Sequence, residues 1–260
     1  MEELIPKFSI FLLVFVRVAS FFVVMPLFSY RALPAMYRMG LAFYLSWIMY
    51  YSISAQPLAI DGDYFMLIIK EALVGLAVGF CAYMIMSAIQ IAGGLIDFQM
   101  GFAIANVIDP QTGAQSPLMG QYLYMFSMLL LLSLDGHHLI LDGIFYSYQF
   151  IPLELSGLHL GSAGLAEYII KAFSGMFMSA FQMAAPVVAV LFLVDVALGI
   201  VARTVPQLNV FVVGFPIKIA VSFIVLFIVM GVMMGVVQQL FGNMLVTMRN
   251  VMELLGGGGS

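Results

Sequence analysis

Three apolar runs, at 64–96, 165–201 and 210–248, constrain this chain more than anything else in it. A helix needs about 20 apolar residues to cross a bilayer, and tilt absorbs only part of a larger excess. All three runs are longer than that. A helix that is apolar on every side must lie in lipid or against other protein. Pro186 in the second run and Gly231 or Gly242 in the third mark places for a bend. The reading is therefore an all-α membrane protein of long, bent helical hairpins packed in a larger assembly. Composition agrees: 64% of the 260 residues are hydrophobic and 8% charged, against about 25% charged in soluble domains.

Shorter runs fill the rest. Residues 8–28 and 39–56 fit two further spans, closed by Pro26 and Pro57, and the acidic turn Asp61-Gly62-Asp63 precedes the first long run. Helices are expected over 118–134 and 139–151, separated by Asp135-Gly136-His137-His138. Arg17 interrupts the first run and no small-residue cleavage site follows, so a cleavable leader is not expected. Residues 1–255 read as one domain, and 256–260, Gly-Gly-Gly-Gly-Ser, resemble an engineered flexible linker. A net charge of −4 without clustered cations excludes nucleic acid. The single Cys81 excludes a disulfide within the chain or a cysteine metal site. Twenty-one methionines fill gaps in an apolar core or form a surface that deforms around passengers; composition leaves both open.

No Lys or Arg occurs between Lys70 and Lys171, so the positive-inside rule has little to act on. Inside that stretch, 93–121 combine Asp97, Asp109, two prolines, several glycines and several amides. Within a bilayer, irregular backbone is tolerated only where protein buries it or it lines a water-filled cavity. We read 97–117 as a loop in or over a pore. Phe102, Ile104, Val107 and Ile108 offer an apolar surface, and Asn106, Asp109 and Gln111 offer partners for loop backbone. Gly101, Pro110, Gly113 and Pro117 shape its ends.

Catalytic chemistry finds no footing. No nucleophile elbow, zinc-protease helix or Walker loop is present. His137 and His138 are adjacent, and on a regular helix they point about 100° apart, which argues against a shared metal. Asp135, His138 and Asp142 share one face, although imidazoles capping a helix break are the simpler reading. No catalytic, cofactor or metal site is expected. Arg17 lies mid-run, where a charge costs about 2.5–3.5 kcal/mol to insert. It must meet a carboxylate or carbonyl inside protein, or line a pore. Gly75 with Gly79 and Gly231 with Gly235 suit close helix packing. The remaining acids read as loop residues.

The stretch from Asp195 to Lys218 is the second informative one. Pro206 ends a helix, Gln207 and Asn209 supply turn hydrogen bonds, and Gly214 with Pro216 frame the next start. Arg203 and Lys218 bracket the hairpin. It is either a simple corner with interfacial charges or a tip that docks a partner.

Asp97-Phe-Gln-Met-Gly-Phe-Ala, Asp109-Pro110, Asp135-Gly-His-His138 and above all Ala202-Arg-Thr-Val-Pro-Gln-Leu-Asn-Val-Phe-Val-Val-Gly-Phe-Pro-Ile-Lys218 resemble the FliR family of flagellar export-gate proteins, whose virulence-secretion relatives are called SctT. The resemblance runs over nearly the whole chain. It implies a non-enzymatic, pore-forming subunit of the type III export gate in the bacterial inner (cytoplasmic) membrane, within the flagellar basal body. The implied fold is a P-like part followed by a Q-like hairpin in a helical hetero-oligomer with FliP-like and FliQ-like subunits. A FlhB-like switch protein is the implied cytosolic partner, and unfolded flagellar proteins are the implied passengers. No cofactor is implied. Residues 101–120 match the family's pore plug, which assigns Phe102, Ile104, Asn106, Val107, Ile108, Asp109 and Pro110 to a plug loop. Arg203, Pro206, Gln207, Asn209, Phe211 and Lys218 match the family's partner-docking hairpin. The alternative from another class is a small-solute transporter, which predicts an internal repeat and charges converging at the midplane; no convincing repeat is seen.

Overall fold

A computed structural model describes residues 4–28, 33–53, 61–102, 117–153, 161–207 and 209–257, with side chains from Phe8 onward. Seven helices occur among the described residues, and no strand: α1 (Leu4–Val24), α2 (Ala35–Ser52), α3 (Gly62–Met100), α4 (Leu118–Ser133), α5 (Gly136–Phe150), α6 (Ala163–Thr204) and α7 (Val210–Leu255). By length and composition α3, α6 and α7 can cross a membrane, and α4 with α5 adds a fourth crossing if that broken pair is one span. The apolar part of α1, Phe8–Val24, is shorter. α2 exposes Tyr37, Tyr44 and Tyr51 along one side and does not qualify as a span, contrary to expectation.

The expected loop at 97–117 is shorter than the sequence suggests, because α3 runs on to Met100 and carries Asp97 in its last turn. Leu95, Gln99 and Met100 are good helix formers, and no stop signal falls between them and Gly101. α6 contains Pro186 and α7 contains Pro216 without a break in helical assignment. Pro216 therefore lies inside the second turn of α7 instead of framing its start, where it has no N–H to give the Val212 carbonyl. Asn209 makes that start, its Oδ1 accepting the N–H groups of Phe211 at 3.1 Å and Val212 at 3.4 Å.

The chain divides into two compact units. The first comprises Met1–Met86, Asp135–Phe173 and Phe241–Ser260, and the second Ser87–Leu134 and Ser174–Leu240. In the first unit Leu13, Val14, Val18 and Phe21 of α1 are buried, as are Val74 and Val78 of α3 and Ile144 of α5. Gly75 and Gly79 let α1 and α3 meet almost backbone to backbone: a Cβ on Gly75 would lie 2.2 Å from the Arg17 carbonyl oxygen. Against α2, Phe11 packs edge-on to Phe43 at 5.2 Å and to Trp47 at 5.8 Å between ring centroids. Two residues of the apparent linker cap α7. Gly256 donates its N–H to the Met252 carbonyl at 2.9 Å, and Gly257 has a φ of 81°. A Cβ on Gly256 would sit 2.0 Å from the Phe150 carbonyl oxygen, so only glycine fits.

The first unit also holds Arg17, fully buried. Its guanidinium makes a two-pronged pair with Glu71, Nε to Oε2 at 2.5 Å and Nη2 to Oε1 at 3.0 Å. It donates further to Ser147 Oγ at 3.0 Å and the Ile151 carbonyl at 2.8 Å, and lies over the Tyr148 ring at 3.8 Å. Of the two readings open in the sequence, pairing inside protein is the one observed. The neighbouring Lys70 donates to the Pro152 carbonyl.

In the second unit Ile89, Ala92 and Ile96 of α3, Leu123 and Leu131 of α4, and Ala180, Met183 and Val187 of α6 are buried. By contrast, only 17% of the most apolar window of α6, and 17% of that of α7, is covered within the chain. Phe192, Leu193, Phe227 and Ile228 stand open. Among the described residues Gly231 and Gly235 meet nothing within 4 Å and join no helices, although the Gly75–Gly79 pair does.

Candidate functional site

Two places expected to carry function, the loop between α3 and α4 and the hairpin between α6 and α7, have their described residues in the second unit. Of the plug residues, Ile104, Asn106, Val107, Ile108, Asp109 and Pro110 lie outside the described residues, as do Gln111 and Gly113. Phe102 and both stems are described.

At the α3 stem, Gly101 adopts φ 91° and donates to the carbonyls of Asp97 at 3.1 Å and Phe98 at 3.2 Å, while Phe102 donates to the Asp97 carbonyl at 3.0 Å. This is a glycine-terminated helix end, and it satisfies carbonyls that would otherwise lack partners. A Cβ on Gly101 would reach 2.6 Å from the Phe215 ring of α7, so sterics and φ both demand glycine. At the α4 stem, Pro117 precedes the helix with φ −57° and ψ 131° and offers no capping side chain. Asp97 supplies one from α3: its carboxylate, nearly fully buried, accepts the Met119 N–H, 3.0 Å from Oδ2 and 3.3 Å from Oδ1. One residue thus closes both stems, its carbonyl ending α3 and its carboxylate starting α4. A negative charge at a helix N-terminus is also favoured by the helix dipole.

The stems meet because glycines face each other. A Cβ on Gly93 would lie 2.1 Å from Gly120 Cα, and one on Gly120 would lie 3.0 Å from the Gln90 carbonyl oxygen. Sequence reasoning placed both glycines in the segment without pairing them; no spacing rule links residues on two different helices.

In the hairpin, Arg203, Pro206, Gln207, Asn209 and Phe211 are exposed, Phe211 strongly so. Lys218 is not comparable with Arg203. Its Nζ pairs with Asp195 on α6, 2.8 Å from Oδ1 and 3.0 Å from Oδ2. Gln99 of α3 donates to the same Oδ2 at 2.8 Å. Asp195 and Gln99 therefore tie α3, α6 and α7 together, a role the sequence did not reveal. The acids expected in loops are largely helical: Glu71, Asp97, Asp142 and Asp195 all lie within helices. Three of them have polar partners at separate places, Glu71 with Arg17, Asp97 with the Met119 amide, and Asp195 with Lys218 and Gln99.

In the first unit, the Asp135 to His138 segment also differs from expectation. Asp135 has a φ of 53°, in the left-handed region, and the His138 N–H donates to its carbonyl at 3.0 Å. The imidazoles of His137 and His138 do not diverge; their ring centroids are 4.1 Å apart. Asp135, His137 and His138 each bring a ligand atom within 4.8 Å of the other two, and Asp142 is not part of this group. Nor does the imidazole-cap reading hold for His137 Nδ1, which is shielded from solvent and finds no hydrogen-bond partner among the described residues.

Comparison with known proteins adds independent information. The family described as "Bacterial export proteins, family 1" matches residues 8–244. The chain is similar to the flagellar biosynthetic protein FliR of Bacillus subtilis (strain 168), with 56% identity over 98% of this chain and 99% of that protein. It is 26% identical to the FliR of Escherichia coli (strain K12) over 92% of this chain and 91% of that one. The Yop proteins translocation protein T of Yersinia pestis is 30% identical over 79% of this chain and 80% of its own length.

Proposed function

The chain belongs to the bacterial export proteins, family 1, and we propose that it is the structural, pore-forming subunit of a flagellar type III protein export gate. One structural observation carries the reading furthest. At 1.5 Å per residue, the 42 residues of α6 and the 46 of α7 extend about 63 and 69 Å, roughly twice the ~30 Å of bilayer hydrocarbon. Exposed apolar side chains nonetheless run from Ile169 to Val201 along α6 and from Phe211 to Val246 along α7. Helices that outrun the bilayer yet stay apolar call for other subunits as cover.

FliP-like and FliQ-like subunits are the proposed cover, with a FlhB-like switch protein at the α6–α7 hairpin, all in the bacterial inner membrane at the flagellar basal body. Unfolded flagellar proteins are the proposed passengers, moved by the proton motive force and an ATPase elsewhere, with no catalysis by this chain. Residues 102–110 are the proposed plug, held shut at its stems by Asp97. Arg203, Pro206, Gln207 and Phe211 are the proposed docking face, with Asn209 starting α7 and Lys218 orienting it through Asp195.

Co-expression tests the reading. Alone, the chain is expected to aggregate or be degraded; with FliP-like and FliQ-like subunits it accumulates and co-purifies as one complex. A stable, monodisperse monomer in detergent, indifferent to those subunits, overturns it.

A further inference from the structure

The start of α5 gathers a set of groups that the export reading does not use. Asp135, His137 and His138 bring three candidate ligand atoms within 4.8 Å of one another. Adjacent residues in mid-helix would not converge in this way. Here Asp135 precedes the helix in a left-handed conformation, φ 53°, and side chains of a first helical turn lean back toward the N-terminus and so toward its carboxylate. The two imidazoles then lie 4.1 Å apart between centroids, with their planes inclined by 39°.

A second observation points to a ligand. His137 Nδ1 is out of contact with solvent and has no hydrogen-bond partner among the described residues. A shielded nitrogen without a partner is unfavourable, and an ion bound at Nδ1 removes that deficit. The positive end of the α5 dipole opposes a cation; the Asp135 carboxylate supplies the formal charge that offsets it.

We propose that Asp135, His137 and His138 form a site for a divalent transition-metal ion of the zinc class. Two imidazoles with one carboxylate favour zinc, cobalt or nickel over magnesium or calcium, which prefer all-oxygen ligands. Asp135 and His138 are exposed, so water completes the coordination and the ion can enter directly. The site fixes the left-handed conformation of Asp135 at the start of α5. It does not depend on the chain's part in export.

The test uses the full chain without a polyhistidine tag, purified in detergent with whatever subunits accompany it and stripped with EDTA. Titration with Co2+ is expected to give one equivalent per chain with visible d–d absorption, displaced by Zn2+. Asp135→Asn, His137→Ala and His138→Ala are each expected to weaken binding at least tenfold, and the triple variant to abolish it. His159→Ala, at the third histidine of the chain, leaves it unchanged. Circular dichroism confirms that each variant is folded, and Asp135→Asn, which keeps shape and size, carries the test if the histidine variants are not. Failure of the parent chain to bind Co2+ saturably below millimolar concentration overturns the proposal. So does binding that survives in the triple variant, or that follows His159 instead.

Discussion

The Asp97 carboxylate at the end of α3 accepts the Met119 amide of α4 at 3.0 Å across 22 residues of chain. The contact ties the last turn of α3 to the first turn of α4, and so fixes both described stems of the proposed plug. Removing an N-cap side chain costs about 0.5–2 kcal/mol, and the burial of Asp97 places it toward the upper end. Asp97→Ala is expected to leave the complex assembled while raising basal permeability; Asp97→Asn, which keeps an acceptor oxygen, gives an intermediate leak. Uptake of a small toxic solute in cells unable to secrete measures it. An Asp97→Ala gate as tight as the parent would separate this contact from the position of the loop.

Deleting residues 104–112 removes the proposed plug itself and spares Gly101, Phe102 and both stems. The expected gate is assembled but conducts small ions, read as single-channel or whole-cell conductance. A tight, assembled deletion variant would leave the segment a packing loop.

Arg17 and Glu71 are both fully buried. Breaking such a pair strands a charge and costs about 3–5 kcal/mol, whereas replacing both partners by apolar groups is often close to neutral. Arg17→Ala or Glu71→Ala is expected to lower the steady-state level of the chain in membranes severalfold. Arg17→Met with Glu71→Leu recovers most of it. Quantitative immunoblotting of the membrane fraction checks both.

The two hairpin cations should behave differently. Lys218→Glu faces Asp195 with a like charge and weakens the complex itself; adding Asp195→Lys restores the pair and the complex. Arg203→Glu leaves the complex intact and reduces motility through docking. Swarming diameter beside pull-down of the partner subunits distinguishes the two, and a dissociated Arg203→Glu complex would place Arg203 inside the packing.

Glycines provide a contrast of their own. Gly93→Ala drives a methyl into Gly120 backbone that cannot yield and is expected to destabilise the complex, seen as a lowered Tm in detergent. Gly231→Ala meets nothing among the described residues. An equal loss at Gly231 would show that a partner helix approaches there.

The apolar runs, Pro206 and Asn209 were legible from composition and local chemistry, because helix formation and termination depend on a residue and its near neighbours. So were the membrane class and the family, carried by the run from Ala202 to Lys218. The same logic narrowed Arg17 to an internal partner or a pore lining, since insertion into lipid penalises any unpaired charge. Only the tertiary structure decided that the partner is Glu71, that Asp97 caps a helix other than its own, and that Lys218 belongs to Asp195. Each of these pairs joins residues on different helices, and helical periodicity says which face a side chain shares but not which helix will lie against it. The approach of His137 and His138 was misread for a related reason: the 100° rule gives the directions of two Cβ atoms on a helix, and side-chain torsions still bring the two rings to 4.1 Å.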